Sequence, residues 1–267
     1  MKTATLATGA LLAATALAAP GTAARWAKHA ARRAGRGSGF KIAATAGEGV
    51  VAAVSANGTA KHVEYSTNWA GAVLSSSGYT SVVGTITVPT PKGTGRSASA
   101  SAWVGIDGDT CGTAILQTGL DFSVSASGAV SYDAWYEWYP DYAYDFTGFS
   151  VKGGDQVKIT VTASSKSAGV ATLQNLSTGK SVSHSFSSES NQLCEYDAEW
   201  IVEDYESGGS LVPFADFDAV TFTGAAAVKS GATVGVAGAT ILDIKQGSAV
   251  LTDCSTSGSS TVTCTYV

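Results

Sequence analysis

An amide interrupts a run of strand-forming residues at Thr113–Gly119, TAILQTG. Ala114, Ile115 and Leu116 suit the interior of a sheet, whereas Gln117 gains nothing there unless its carbonyl or its NH2 is used. A second such group is Glu203 in EWIVEDYE, a carboxyl set among Trp200, Ile201, Val202 and Tyr205. Taken singly, a strand Glu is usually solvated and a strand Gln usually bonds a neighbour's backbone. Together a carboxyl and an amide offer a proton acceptor and a polarising donor, which is what turning water against a carbonyl requires.

Other hydrolytic machinery is missing. His29 lies in a basic N-terminal region and His62 at its boundary, so His184 in KSVSHSFSS is the one clear histidine of the body. There is no G-x-S-x-G elbow for a Ser–His–Asp hydrolase. The paired D-T-G or D-S-G motifs of an aspartic protease dyad are absent, and GDT at Gly108–Thr110 occurs once and in the wrong order. None of the four cysteines lies in a C-x-x-C pair, so neither spacing nor ligand count fits a zinc site; no metal or cofactor is expected.

The elements that must position these groups are short β patterns. From about residue 63, SVVGTITVP, SASAWVGID, TAILQTGLDF, VSYDAWYEWY, DQVKITVTAS and their successors are separated by Gly, Ser, Asn and Asp turns. That spacing predicts an all-β sandwich or barrel. EYDAEWIVEDYE alone reads as either strand or helix. No linker follows residue 63, so residues 62–267 form one domain, large enough to bury about 70% of the surface its unfolded chain exposes.

Side chains alternate along a strand, so parity sorts them by face. Asp133, Trp135, Glu137 and Tyr139 share one face of YDAWYEWYP, and Trp103 and Asp107 share one face of SAWVGIDGD. Gln117 goes with Thr113 and Ile115, and Glu203 with Glu199, Ile201 and Tyr205. If these faces line one concave sheet, they make a trough with aromatic walls and acid or amide tips, suited to an extended peptide or glycan. A glycan-active or glycan-binding protein is the alternative reading, with Glu137 and Glu203 as a carboxyl pair.

Residues 1–24 read as a secretory signal peptide. Lys2 precedes a small apolar stretch that ends in Ala-x-Ala triplets and is too short and too Ala/Thr-rich to span a bilayer. Residues 1–61 carry 8 bases and 1 acid, a net of +7, against 8 bases and 20 acids, a net of −12, in residues 62–267. A cationic leader on an anionic body predicts a pro-segment at 25–61 held partly by charge, trimmed within GTAKH, rather than a tail for nucleic acid. The expected product is secreted, extracellular and monomeric, with no nucleic-acid or membrane partner. Self-repulsion of the acidic body falls below about pH 4–5, so best stability is expected in acid. Four cysteines in an exported chain imply two disulfides. Cys254 and Cys264 flank a hairpin and can pair locally, leaving Cys111 with Cys194. Asn175–Ser177 is an N-glycosylation sequon.

NWAGAVL (Asn68–Leu74), AWVGIDGDTCGTAILQTG (Ala102–Gly119), YDAWYEWYP (Tyr132–Pro140) and IVEDYE followed by LVPFADF closely resemble, in order, the glutamic peptidases or eqolisins. The resemblance covers nearly all of residues 65–267. It implies a secreted, acid-active, pepstatin-insensitive, metal-independent endopeptidase acting on polypeptides. The implied fold is a two-sheet antiparallel, concanavalin-like β-sandwich. By motif, the resemblance makes Gln117 and Glu203 the catalytic pair, Trp103 a cleft tryptophan and Glu137 a further cleft carboxyl. Asp107, Asp133, Trp135 and Tyr139 complete the expected substrate cleft. Whether Glu203 begins as acid or base stays open.

Overall fold

The computed structural model describes residues 36–44, 53–54, 60–61, 63–93 and 95–267. The expected signal peptide and most of the expected pro-segment lie outside them. The described residues form strands and turns with no helix, and so none long and apolar enough to cross a bilayer.

Two sheets stack face to face. In the first, hereafter the front sheet, the strand order is Tyr144–Asp145, Val130–Tyr139, Ile115–Val124, Ala98–Ile106, Asp197–Glu203, Trp69–Ser75, Thr240–Gln246 and Ala249–Val250. Val63–Ser66 adds a parallel strand beside Thr240–Gln246, while the other pairings are antiparallel. The back sheet runs Lys180–Phe186, Ala168–Asn175, Gln156–Ser165, Tyr79–Thr87, Ala219–Lys229, Thr261–Tyr266 and Thr252–Ser257, with Ala232–Gly235 pairing off Ala219–Lys229. The segment readable either way, Asp197–Glu203, is strand, flanked by a partner on each side.

Alternation separates two apolar clusters. Ala102, Val104, Leu116, Leu120, Trp138, Trp200 and Val202 of the front sheet point inward and meet Val82, Ile86, Ile159, Val161 and Phe222 of the back sheet. The intervening residues, Trp103, Ile115, Trp135 and Ile201, face out with Trp69, Val73 and Leu242 and make a second cluster. The central front strands are therefore buried on both faces, and Asp197–Glu203 is buried at every position. Cys111–Cys194 and Cys254–Cys264 are both bonded, as the spacing suggested.

The outer row around Trp103 depends on glycines. Gly119 lies opposite Trp103 on the neighbouring strand, and a Cβ there would stand 2.3 Å from the Ala102 carbonyl oxygen and 2.5 Å from the Trp103 Cβ. Gly71, opposite Ile201, has φ +145°, and a Cβ would stand 2.0 Å from the Trp200 carbonyl oxygen. Gly119→Ala and Gly71→Ala should each destabilise the chain by about 3 kcal/mol in urea unfolding. Gly112→Ala, with nothing within 4 Å of the added carbon, should change little.

Candidate active site

The register brings the expected pair onto one face. Gln117 lies opposite Gly105, which lies opposite Glu199, and Glu203 follows four residues along the same strand as Glu199. An even offset keeps the side. Gln117 and Glu203 thus stand two strands apart on the outer face, with Trp103 on the strand between them. Both are fully buried.

Each is oriented by a neighbour. The Gln117 NH2 donates to Glu137 Oε2 at 3.0 Å, and Glu137 lies directly across the strand pair. Gln117 Oε1 is buried and accepts no hydrogen bond from the described residues. Trp103 Nε1 donates to Glu203 Oε2 at 2.9 Å, so the tryptophan fixes the carboxyl as well as walling the trough. Trp135 and Tyr139 continue that wall. Asp133 lies at its far end with Asp121 and Tyr205, lining a cavity of about 270 Å³.

Asp107 does not join this group. Its Oδ2 accepts the N–H groups of Cys194 and Glu195 at 2.7 and 2.9 Å, and its Oδ1 those of Tyr196 and Asp197 at 2.6 and 3.2 Å. Asp107, expected in the cleft, is fully buried and staples the turn entering the Glu203 strand. Asp107 is grouped with Cys111 and Cys194, but the two sulfurs are bonded to each other and its oxygens are committed, so these residues offer no metal ligand set.

Residues 36–44 lie across the trough. Arg36–Gly37 pairs antiparallel with Glu206–Ser207. The Ser38 hydroxyl, fully buried, donates to Glu203 Oε2 at 2.9 Å. The Phe40 ring meets Tyr139 edge-on, centroids 4.7 Å apart, against the outer apolar cluster. Lys41 forms ion pairs with Asp109 and, at 3.1 Å, with Glu64. Burial alone would lower the Lys41 pKa, but these two carboxylates hold it above the ordinary lysine range. Sequence reading assigned this region a charge-based hold and missed Ser38 and Phe40, whose types carry no such signal.

Several acids around the site are held protonated beyond their usual range. Burial, then the negative charge of Asp197, Asp107 and Asp109, pushes Glu199 well up; the Asp109 backbone N–H offsets only part of this. Burial also raises Asp107 against its four N–H donors, and Asp109 against Lys41. Asp204, next in chain to Glu203, is raised by burial to about 7 although Gln246 Nε2 donates to it at 2.7 Å.

An aromatic trough on a β-sandwich thus holds a segment of the chain's own polypeptide against a buried carboxyl. Residues 67–266 match the Peptidase A4 family, and the chain belongs to that family. It is 51% identical to Aspergillopepsin-2 of Aspergillus niger over the whole of both chains. It is 45% identical to Scytalidopepsin B of Scytalidium lignicola over 94% of each. Among solved structures, scytalido-glutamic peptidase with a transition state analog inhibitor superposes with a TM-score of 0.70 at 47% identity, covering 75% of this chain and 98% of that one. Aspergilloglutamic peptidase from Aspergillus niger superposes at 0.62 with 61% identity, covering 64% and 99%.

An acid whose pKa is higher folded than unfolded binds extra protons in the folded state. Stability is then full below the unfolded value and falls as pH climbs through the window, at up to about 1.4 kcal/mol per pH unit for each group. For Asp204 the window runs from 3.8 to about 7, and Glu199 adds in the same direction. The melting temperature should therefore fall between pH 4 and pH 7, and Asp204→Asn and Glu199→Gln should flatten the slope. A melting temperature rising steadily from pH 3 to pH 8 would contradict this.

Proposed function

We propose that the chain is a secreted acid endopeptidase in which Gln117, Glu203 and one water hydrolyse the peptide bond. The observation that carries this reading is Glu203 Oε2: buried beside Trp103, it receives a hydroxyl from a stretch of the chain's own polypeptide lying along the trough. On this reading Glu203 begins as the base, with Trp103 Nε1 and the Ser38 hydroxyl orienting its Oε2. It takes a proton from water as the water oxygen adds to the carbonyl carbon. The carbonyl π pair moves onto oxygen. An NH2 has two hydrogens; Glu137 holds one from Gln117, and the other stabilises that oxyanion. On collapse the C–N bond breaks, and Glu203 returns the proton to the leaving amine. Gln117 Oε1, buried and accepting no hydrogen bond from the described residues, would accept from the attacking water. No metal or cofactor enters this scheme, and pepstatin-type inhibitors are not expected to act on it.

Residues 25–61 are, on this reading, a pro-segment whose described part blocks the catalytic carboxyl. Cutting within GTAKH would leave the Val63–Ser66 strand in the sheet. The glycan reading has less support, because Glu137 and Glu203 stand three strands apart with Gln117 and Trp103 between them, not face to face as a retaining pair needs.

At pH 3, with pepstatin and EDTA present, the chain should degrade an unfolded protein. Glu203→Gln should lose turnover, and Gln117→Ala should lose about 10²–10³-fold in kcat, the usual effect of one oxyanion donor. Wild-type turnover in either variant would reject the pair. Ser38→Ala should speed release of the leader in acid, timed by N-terminal sequencing; unchanged timing would mean that the Ser38–Glu203 contact does not restrain it.

A further inference from the structure

We propose that Asn68 is a substrate-positioning residue whose side-chain amide grips the main chain of a peptide lying in the trough; this rests on the peptidase reading above. Asn68 is 3% exposed, and its amide holds residues 40–42 at both ends. Its Oδ1 accepts the Ile42 N–H at 2.9 Å, and its Nδ2 donates to the Phe40 carbonyl oxygen at 3.3 Å. Those are the two main-chain groups flanking Lys41. In an antiparallel sheet a neighbouring strand supplies one acceptor and one donor to such a pair, so the amide stands in for a strand partner. It touches no side-chain atom of residues 40–42 through these bonds, and the grip is therefore indifferent to sequence.

The clamp is fixed to the catalytic strand. Ser66 Oγ shares its one hydrogen between Asn68 Oδ1 at 2.9 Å and the Ile42 carbonyl oxygen at 3.0 Å, and accepts from the N–H groups of Asn68 and Trp69. The Asn68 carbonyl oxygen accepts the Asp204 N–H at 2.9 Å, one residue beyond Glu203. Gln246 Nε2 bridges the Thr67 carbonyl oxygen and Asp204. A second main-chain contact, Thr67 N–H to the Ile42 carbonyl oxygen at 2.9 Å, lies beside it. An extended chain rises about 3.3 Å per residue, so Lys41 sits roughly 10 Å along from Ser38 at the carboxyl. Asn68 would thus act on substrate residues two to four positions from the one at Glu203, setting the frame in which the scissile bond meets the water.

The test uses the full chain brought to acid and peptides sharing one cleavable core, lengthened by one to four residues at either end. For wild type, kcat/KM should rise once extension at one end reaches the clamp. Asn68→Ala should lose about tenfold on the longest peptides, two hydrogen bonds' worth, and nothing on the shortest. N-methylation of the peptide amide that meets Oδ1 should lower kcat/KM for wild type and leave Asn68→Ala unaffected. Asn68→Asp, which keeps the acceptor, should retain the N-methyl sensitivity, and it carries the test if the alanine variant does not fold. An equal loss at every length, or N-methyl sensitivity that survives in Asn68→Ala, would overturn the proposal and leave Asn68 a structural residue or a contact for the leader alone. A wild-type chain that cleaves none of the peptides would instead sink the peptidase reading beneath it.

Discussion

Carboxyl groups in a nearly dry sheet are the constraint from which the rest follows. Glu137, Asp197, Glu199 and Glu203 are all fully buried on the front sheet, where an isolated charge would cost several kcal/mol. The chain meets that cost in three ways. Asp107 and Asp197 are wrapped by backbone donors: four N–H groups for the first, and the Thr110 and Cys111 N–H groups for the second. Glu199 and Asp204 hold their protons to higher pH than ordinary carboxyls, because burial disfavours the charged form. Glu137 and Glu203 accept from side chains, Gln117 and Trp103, which are themselves site residues. Acid conditions suit the second solution directly, because burial favours the protonated forms of these two groups.

The third solution couples stability to the site. Glu203 Oε2 accepts from Trp103 Nε1 and from the Ser38 hydroxyl, which on the proposed reading belongs to the leader. Removing that segment takes one donor away from the buried carboxyl. A water molecule can donate in place of that hydroxyl, which on the proposed reading is also the catalytic arrangement. The same buried oxygen that would be a liability in a resting fold is a poised acceptor in a working one.

Much of this was legible in the sequence, because period-2 alternation is a strict rule. Parity alone put Trp103, Trp135, Gln117 and Glu203 on faces that the register then joined into one, and Gly119 and Gly71 leave room for the row between them. Parity does not carry to Asp107, which lies one residue past its strand with φ +71°, where the face rule no longer applies. It could not reveal the two-ended grip of Asn68, since nothing in the sequence shows which segment will lie across a sheet. The Asn175 sequon misleads for a similar reason. That side chain is buried, donating to Asp155 Oδ2 and accepting from the Ser177 and Thr178 N–H groups, so it serves as a turn staple. Net charge marked the basic N-terminal region as a partner of the body, but charge has no register and could not say that Ser38 rather than a base would meet Glu203.

On the proposed reading, one variable moves the leader and the body in opposite directions. Burial makes Asp109 take up its proton at a higher pH than an ordinary carboxylate, and Asp109 is a partner of Lys41. Acidification therefore weakens the ion pair early, while Lys41 stays charged and is left in a half-buried place with less to face. Over the same range the protonated forms of Glu199 and Asp204 become the stable ones, so the sandwich tightens. A latch released by the same protons that firm the scaffold needs no separate sensor. The buried acids that make the trough costly at neutral pH are then the reason the chain can stay closed there and open in acid.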